Sequence, residues 1–209
     1  MTSTPRYDHP TIFNFLHDYG CDLRDRRVFN HHHMGLSENS HSIGIEYVSR
    51  NLLHLDKSEG PIELWINNDG GWLHEMWAII DIIESCENEV STVAYGNVAS
   101  AACLLLASGT GKRYATKHAS FMWHAGTTDI DNTMHWPDAR DRMEWEKKET
   151  ARWIEQMARR TSPQDTDGKK LKFMADKKQF WEDTARGGGE LWFDAIEMKK
   201  NGIIDEIWS

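Results

Sequence analysis

Ser100 stands between a strand-like run, residues 90–95 with its turn Gly96-Asn-Val-Ala, and the wholly apolar stretch 101–107. A hydroxyl at a helix start meets the positive end of the helix dipole and backbone N–H groups with no partner of their own. That setting suits a nucleophile whose product is an oxyanion, and it equally suits an ordinary N-cap serine. The surrounding Gly-x-x-x-Ser-Ala differs from the Gly-x-Ser-x-Gly elbow. His124 ends the short apolar run Phe121-Met-Trp-His and is followed by Ala125-Gly126, a place for a general base or for a structural histidine. Gly70-Gly71 follow another strand-like run and precede a helix. Glycines there let backbone approach an anion, or simply make a tight turn. Together, a hydroxyl, an imidazole and free backbone donors are the parts of acyl-transfer chemistry. The run His31-His32-His33, with His41 nearby, makes a poor metal site, because consecutive residues point in different directions; an exposed polar patch is the better reading.

The elements that must position these groups follow a repeated pattern. Residues 62–66 alternate as a strand and lead through Asn67-Asn68-Asp69 to the glycine pair. Leu73, Met76, Trp77, Ile80 and Ile83 then lie on one helical face. The runs 90–95, 113–116 and 119–123 are further strands, and 101–107, apolar on every side, is a buried helix. Upstream, Arg24-Asp-Arg-Arg-Val-Phe29 opens a first strand, and residues 40–55 carry Ile43, Tyr47, Leu52 and Leu55 at helical spacing. Strands alternating with helices indicate an α/β fold of right-handed βα units. Residues 137–160 form a long charged helix with a thin stripe of Met143, Ala151, Ile154, Met157 and Ala158, which suits contact with a partner subunit. A shorter element at 173–186, a helix at 193–200 capped by Asn201-Gly202, and a strand at 203–208 complete the chain.

The 209 residues suffice for one sizeable domain, with residues 1–20 read as a flexible N-terminal segment and 21–209 as the single domain. Within that segment Ile12, Phe13, Phe15 and Leu16 can dock a short helix. Ten tryptophans imply core or interface anchors. A net charge of −9, from 33 acidic and 24 basic residues, argues against nucleic acid or an anionic membrane as partner. Cys21, Cys86 and Cys103 show no close-spaced motif and fit a reducing compartment. The first 19 residues lack a signal-peptide core, and the apolar run 98–107 is short of the ~18–20 residues of a membrane span. The expectation is a cytoplasmic protein.

The order strand, Gly-Gly, helix, strand, Ser, helix, strand, His resembles the proteolytic subunit of the Clp protease family. Leu64-Trp-Ile-Asn-Asn-Asp-Gly-Gly71 stands where that family commonly has Ile-Asn-Ser-Pro-Gly-Gly. Gly96-Asn-Val-Ala-Ser100 is similar to its Gly-Gln-Ala-Ala-Ser, and Leu104-Leu-Leu-Ala-Ser-Gly-Thr-Gly-Lys-Arg-Tyr114 with Met122-Trp-His124 to the stretch ending in its histidine. Asp194-Ala-Ile-Glu-Met-Lys-Lys-Asn-Gly-Ile-Ile-Asp205 looks like its closing Ser-Ala-x-Glu-Ala-x-x-Tyr-Gly-Leu-Ile-Asp. The resemblance implies a spiral of ββα units, shared with crotonases, bearing a long charged handle helix. It implies a serine endopeptidase with Ser100 as nucleophile, His124 as base, and the N–H groups of Gly71 and Ala101 as oxyanion hole. Aligned backward without a gap from Gly202-Ile-Ile-Asp205, Glu190 takes the place of the family's acid. Aligned forward from Asp183-Thr184, that place falls on Gly187, so Asp183 or no acid remain the alternatives to Glu190. The resemblance further implies stacked seven-membered rings (a tetradecamer), peptide or unfolded-protein substrates, and an AAA+ unfoldase, so that ATP acts only through the partner and the subunit holds no cofactor. The polar head and the long stretch between His124 and Glu190 fit a divergent, phage-encoded branch.

Two other readings compete. A non-catalytic or capsid-associated assembly protein could keep the fold without an acid. A crotonase-like acyl-CoA enzyme would share the spiral and an oxyanion hole, but would not need Ser100 and His124 together and would want a basic phosphate site.

Overall fold

A ladder of parallel strands carries the candidate residues at its C-terminal ends. In the computed structural model, residues 21–22, 25–31, 43–124, 126, 135–186 and 189–208 are described. The expected tail 1–20, its short helix, and His32, His33 and His41 lie outside the described residues. Strands β1 (Cys21–Asp22), β2 (Arg27–His31), β3 (Ile62–Asn68), β4 (Val90–Ala99), β5 (Arg113–Thr116) and β8 (Glu206–Trp208) neighbour one another in the order β1-β2-β3-β4-β5-β8. β6 (Ser120–Trp123) pairs with β4 and with β7 (Leu191–Asp194). β2 to β5 and β8 run parallel, β1 lies antiparallel to β2, and β7 lies antiparallel to β6. The expected α/β class is what the chain adopts.

β3 shows why these runs are strands. Ile62, Leu64, Ile66 and Asn68 are buried in strict alternation, which puts one side of the strand on the core. β4 runs past the expected turn at Gly96 and ends only at Ala99. Its first half pairs with β3 and β5, and Asn97–Ala99 pair with β6. The change of partner is made by a register shift, with Ile66 opposite Ala94 but Asn68 opposite Val98. Gly96 takes φ 83° within that shift, and a Cβ there would lie 2.7 Å from Asn67 Oδ1, so the bulge needs glycine.

Helices α1 (Ile43–Leu55), α2 (Leu73–Ser85) and α3 (Ala101–Ala107) follow β2, β3 and β4. Every residue of α3 is buried, as its unbroken apolar sequence requires. α4 (Trp136–Arg160) buries only Glu149, Trp153, Ile154, Met157 and Ala158. Two members of the expected stripe are exposed: Met143, because the first three turns of α4 stand clear of the body, and Ala151, which lies off the face that buries Glu149, Trp153, Ile154 and Met157. α5 (Met174–Arg186) and the short α6 (Ala195–Lys200) close the fold. α6 begins two residues later than expected, since residues 191–194 form β7 and Asp194 starts a capping box with Glu197.

Three fully buried tryptophans lock α4 and α5 against the end of β6. Trp123 packs on Trp153 at 4.4 Å and on Trp181 at 5.0 Å between ring centroids. Trp123 Nε1 donates to the Trp181 carbonyl, and Trp181 Nε1 to Thr161 Oγ1 at 3.0 Å. The residue after this anchored Trp123 is His124.

Candidate active site

Ser100 occupies a backbone conformation that L-residues avoid, φ 56° and ψ −125°, where β4 turns into α3. Its N–H donates to the Met122 carbonyl at 2.8 Å, and its own carbonyl accepts from Cys103 N at 3.0 Å. Although Ser100 sits at the N-cap position of α3, its side chain makes no capping hydrogen bond. The hydroxyl instead meets His124, Oγ to Nε2 at 2.8 Å. Both residues are half-buried. Ser100 therefore does not cap α3 with its side chain, and His124 is hydrogen-bonded to it rather than isolated.

The turn after β3 is pressed against this pair. A Cβ on Gly70 would lie 2.6 Å from Ser100 Cβ, 2.7 Å from the Ala99 carbonyl and 2.9 Å from Ala101 N. Only glycine allows such an approach, and its φ of 96° favours glycine independently. Gly70 N–H is spent internally, on Asn68 Oδ1 at 2.7 Å, which leaves Gly71 as the member of the pair with an N–H not taken by that contact. Ala101 is the first residue of α3, so its N–H has no acceptor within the helix. Two backbone segments bearing candidate oxyanion donors thus converge beside Ser100.

The acid is not assembled in the same way. Glu190 is exposed and its Oε2 accepts from Trp192 Nε1 at 2.9 Å, without a hydrogen bond to His124. In sequence it directly precedes Leu191, which pairs with Trp123 at the end of the β6–β7 ladder, and His124 directly follows Trp123. Asp183 faces solvent on α5, with Gln179 one turn back donating to its Oδ1. Gly187 lies outside the described residues.

Cys103, beside the nucleophile, is fully buried, and burial pushes its thiol well above the usual range, so it stays protonated. Among the described residues no group of three His, Cys, Asp or Glu is placed to hold a metal ion, and no helix is long and apolar enough to cross a membrane. All three cysteines are free thiols.

Sequence reasoning missed the asparagines around the glycine turn. Asn30 and Asn68 are completely buried, with Asn68 Nδ2 donating to Asn30 Oδ1 at 2.6 Å. Asn97 N–H donates to Asn67 Oδ1, Asn97 Nδ2 to Asp69 Oδ1 at 2.8 Å, and Ser120 Oγ to Asn97 Oδ1. One signal was available: Asn68 falls in the same phase as Ile62, Leu64 and Ile66, a polar residue on the buried side of a strand.

The family described as Clp protease matches residues 21–209. The chain is 31% identical over 192 residues to the ATP-dependent Clp protease proteolytic subunit 2 of Cutibacterium acnes, covering 91% of this chain and 81% of that one. It is 32% identical to the proteolytic subunit 2 of Thermobifida fusca, covering 75% and 69% of the two chains. It is 33% identical to proteolytic subunit 3 of a Synechococcus species, covering 76% and 72%.

Proposed function

The chain belongs to the Clp protease family and is a serine-type peptidase, and we propose that its chemistry runs through Ser100, His124 and the N–H groups of Gly71 and Ala101. The observation that carries this reading is the 2.8 Å contact between Ser100 Oγ and His124 Nε2 at a serine whose side chain leaves the helix uncapped. A neutral imidazole takes the hydroxyl proton as Oγ attacks the peptide carbonyl. The oxygen gains full charge only in the tetrahedral intermediate, where two fixed backbone donors stabilise it without reorganisation. The imidazolium then protonates the leaving amine, and the acyl-enzyme is released by water through the same steps in reverse order. No step calls on a cofactor in the subunit.

Glu190 is the acid in this reading. The reading is supported by the ladder that ends with Trp123 and Leu191, next to His124 and Glu190, and a rotation of the Glu190 side chain away from Trp192 would turn its carboxylate toward His124 Nδ1. A carboxylate there holds the imidazole in the tautomer with Nε2 free and stabilises the imidazolium.

Residues 21–209 act as one peptidase domain in the cytoplasm, assembled with copies of itself into stacked heptameric rings. The exposed first turns of α4 support such an assembly, with Trp136 74%, Trp145 57% and Met143 46% exposed on an otherwise charged helix. A partner unfoldase that brings ATP to the reaction and unfolded chains to the site is supported by a second surface. Phe29, Trp65, Tyr95, Tyr114 and Trp208 form a half-buried aromatic stripe across β2, β3, β4, β5 and β8, with neighbouring rings 4.9–6.1 Å apart. An apolar side chain from a partner would find area there.

The test is hydrolysis of a short fluorogenic peptide by the purified protein and by Ser100→Ala. The serine reading expects turnover that the substitution lowers by about 10⁴-fold or more. Equal turnover by the two proteins contradicts it. The Ser100–His124 contact favours this reading over the non-catalytic and acyl-CoA alternatives, neither of which uses such a pair.

A further inference from the structure

We propose that Asn68, braced by Asn30, is the positioning residue that sets the oxyanion hole. The inference rests on the peptidase reading above and adds to it a side chain that touches neither substrate nor nucleophile. Where the family commonly has Ser-Pro before its glycine pair, this chain has Asn68-Asp69. A proline would fix the backbone of that turn by its ring. Here the turn is fixed by hydrogen bonds.

Asn68 Oδ1 accepts from Gly70 N–H at 2.7 Å, an Asx turn that sets the direction of the peptide entering Gly70. Asn68 is fully buried, so its amide can hold that direction only if its own donors are placed. Asn30 Oδ1, reaching from β2, receives Asn68 Nδ2 at 2.6 Å and fixes which way the amide faces. Asp69 is tied separately by Asn97 Nδ2 at 2.8 Å, which links the turn to the β4 bulge just ahead of Ser100. Gly70 in turn lies within van der Waals reach of Ser100 and Ala101. The next N–H, that of Gly71, therefore has its position set by the Asn68 amide. Loss of that acceptor frees Gly70 N–H to seek another partner and lets Gly71 drift from the developing charge.

Such a defect acts on the transition state and leaves ground-state binding alone. Asn68→Ala is expected to lower kcat about 10–100-fold with KM within about twofold, less than the ~10²–10³-fold loss from deleting an oxyanion donor outright. A fluorophosphonate probe, attacked at phosphorus by Ser100 Oγ with departure of fluoride, should label the variant more slowly in the same proportion. Asn68→Ser, whose hydroxyl can accept from the same N–H, should recover part of kcat. Asn30→Ala keeps the acceptor but removes its brace, and should give a smaller fall in kcat with the same unchanged KM. Thermal midpoints of all variants accompany the kinetics. If Asn68→Ala fails to fold, Asn30→Ala and Asn68→Ser carry the test by the same split between kcat and KM. Wild-type kcat in folded Asn68→Ala, or in both of the milder variants, overturns the inference. So does a fall expressed in KM alone. Absence of Ser100-dependent turnover in the wild-type protein would instead sink the peptidase reading itself, so the two failures are distinguishable.

Discussion

Trp123 is paired with Leu191 across β6 and β7, the last pair of the ladder, with His124 following the one and Glu190 preceding the other. The two carboxylates that sequence alignment left open have different surroundings. Asp183 is on the solvent side of α5, where Gln179 donates to it. Glu190, the acid in the proposed reading, directly precedes Leu191, the partner of Trp123.

Glu190→Gln is accordingly expected to lower kcat by about 10²-fold or more, because a neutral amide neither fixes the imidazole tautomer nor stabilises its charged form. Asp183→Asn should stay within about twofold of the parent. Peptide turnover by both variants, assayed side by side, decides the matter, and the reverse ranking would move the acid to α5.

Gly70→Ala tests the close approach at the turn. The added Cβ meets Ser100 Cβ at 2.6 Å and the Ala99 carbonyl at 2.7 Å, and backbone on both sides leaves no flexible group to yield. Turnover should fall by about 100-fold or more, since displacement of less than 1 Å at a reacting centre is enough for such losses. Near-normal turnover in this variant would mean that the turn does not touch the catalytic geometry.

Much of this was legible in the sequence because it is local. The alternation of residues 62–68 and the helical stripe from Leu73 to Ile83 fix β3 and α2 without reference to the rest of the chain. β4 was read too short because glycine at 96 looks like a turn, whereas here its positive φ serves a bulge inside a strand. Phe193 and Asp194 read as the start of a helix in sequence, because Leu191-Trp-Phe-Asp is strand only by pairing with β6, some 70 residues earlier in the chain. Ser100 and His124 were found by their neighbours in sequence, but their contact, and the Asn30–Asn68 bond between β2 and β3, are products of tertiary structure.

Trp181→Ala should destabilise the fold by about 3–5 kcal/mol, the usual range for removing a buried large aromatic. It also removes a hydrogen bond to Thr161 Oγ1 and the packing under Trp123. Chemical denaturation checks the stability, and turnover at a temperature where the variant remains folded should fall too, since His124 directly follows β6. Unchanged stability would show that the tryptophan cluster does not anchor the strand.

Asp205 gives a pH-dependent outcome. Burial raises its pKa, but hydrogen bonds from the Arg113 side chain and backbone N–H outweigh that, and the net shift is downward. A carboxyl with a depressed folded pKa contributes stability above its unfolded value, near 3.9, and loses it as pH falls through the folded value. The Arg113–Asp205 pair is partly exposed, so its effect is small. Asp205→Asn should lower the thermal midpoint by about 1–3 °C at pH 7, with the difference from the parent shrinking as pH falls below the unfolded value and through the depressed folded one. A difference that persists unchanged in acid would show that ionisation of Asp205 is not its source.

The central claim is that Ser100 is a nucleophile activated by His124. The most direct measurement is mass-spectrometric mapping of a fluorophosphonate adduct on the native protein, together with Ser100→Ala and His124→Ala. A single adduct on Ser100, absent from the first variant and formed at least about 100-fold more slowly in the second, is the expected result. An adduct on another serine, or labelling of Ser100 at the parent's rate without His124, would contradict the account.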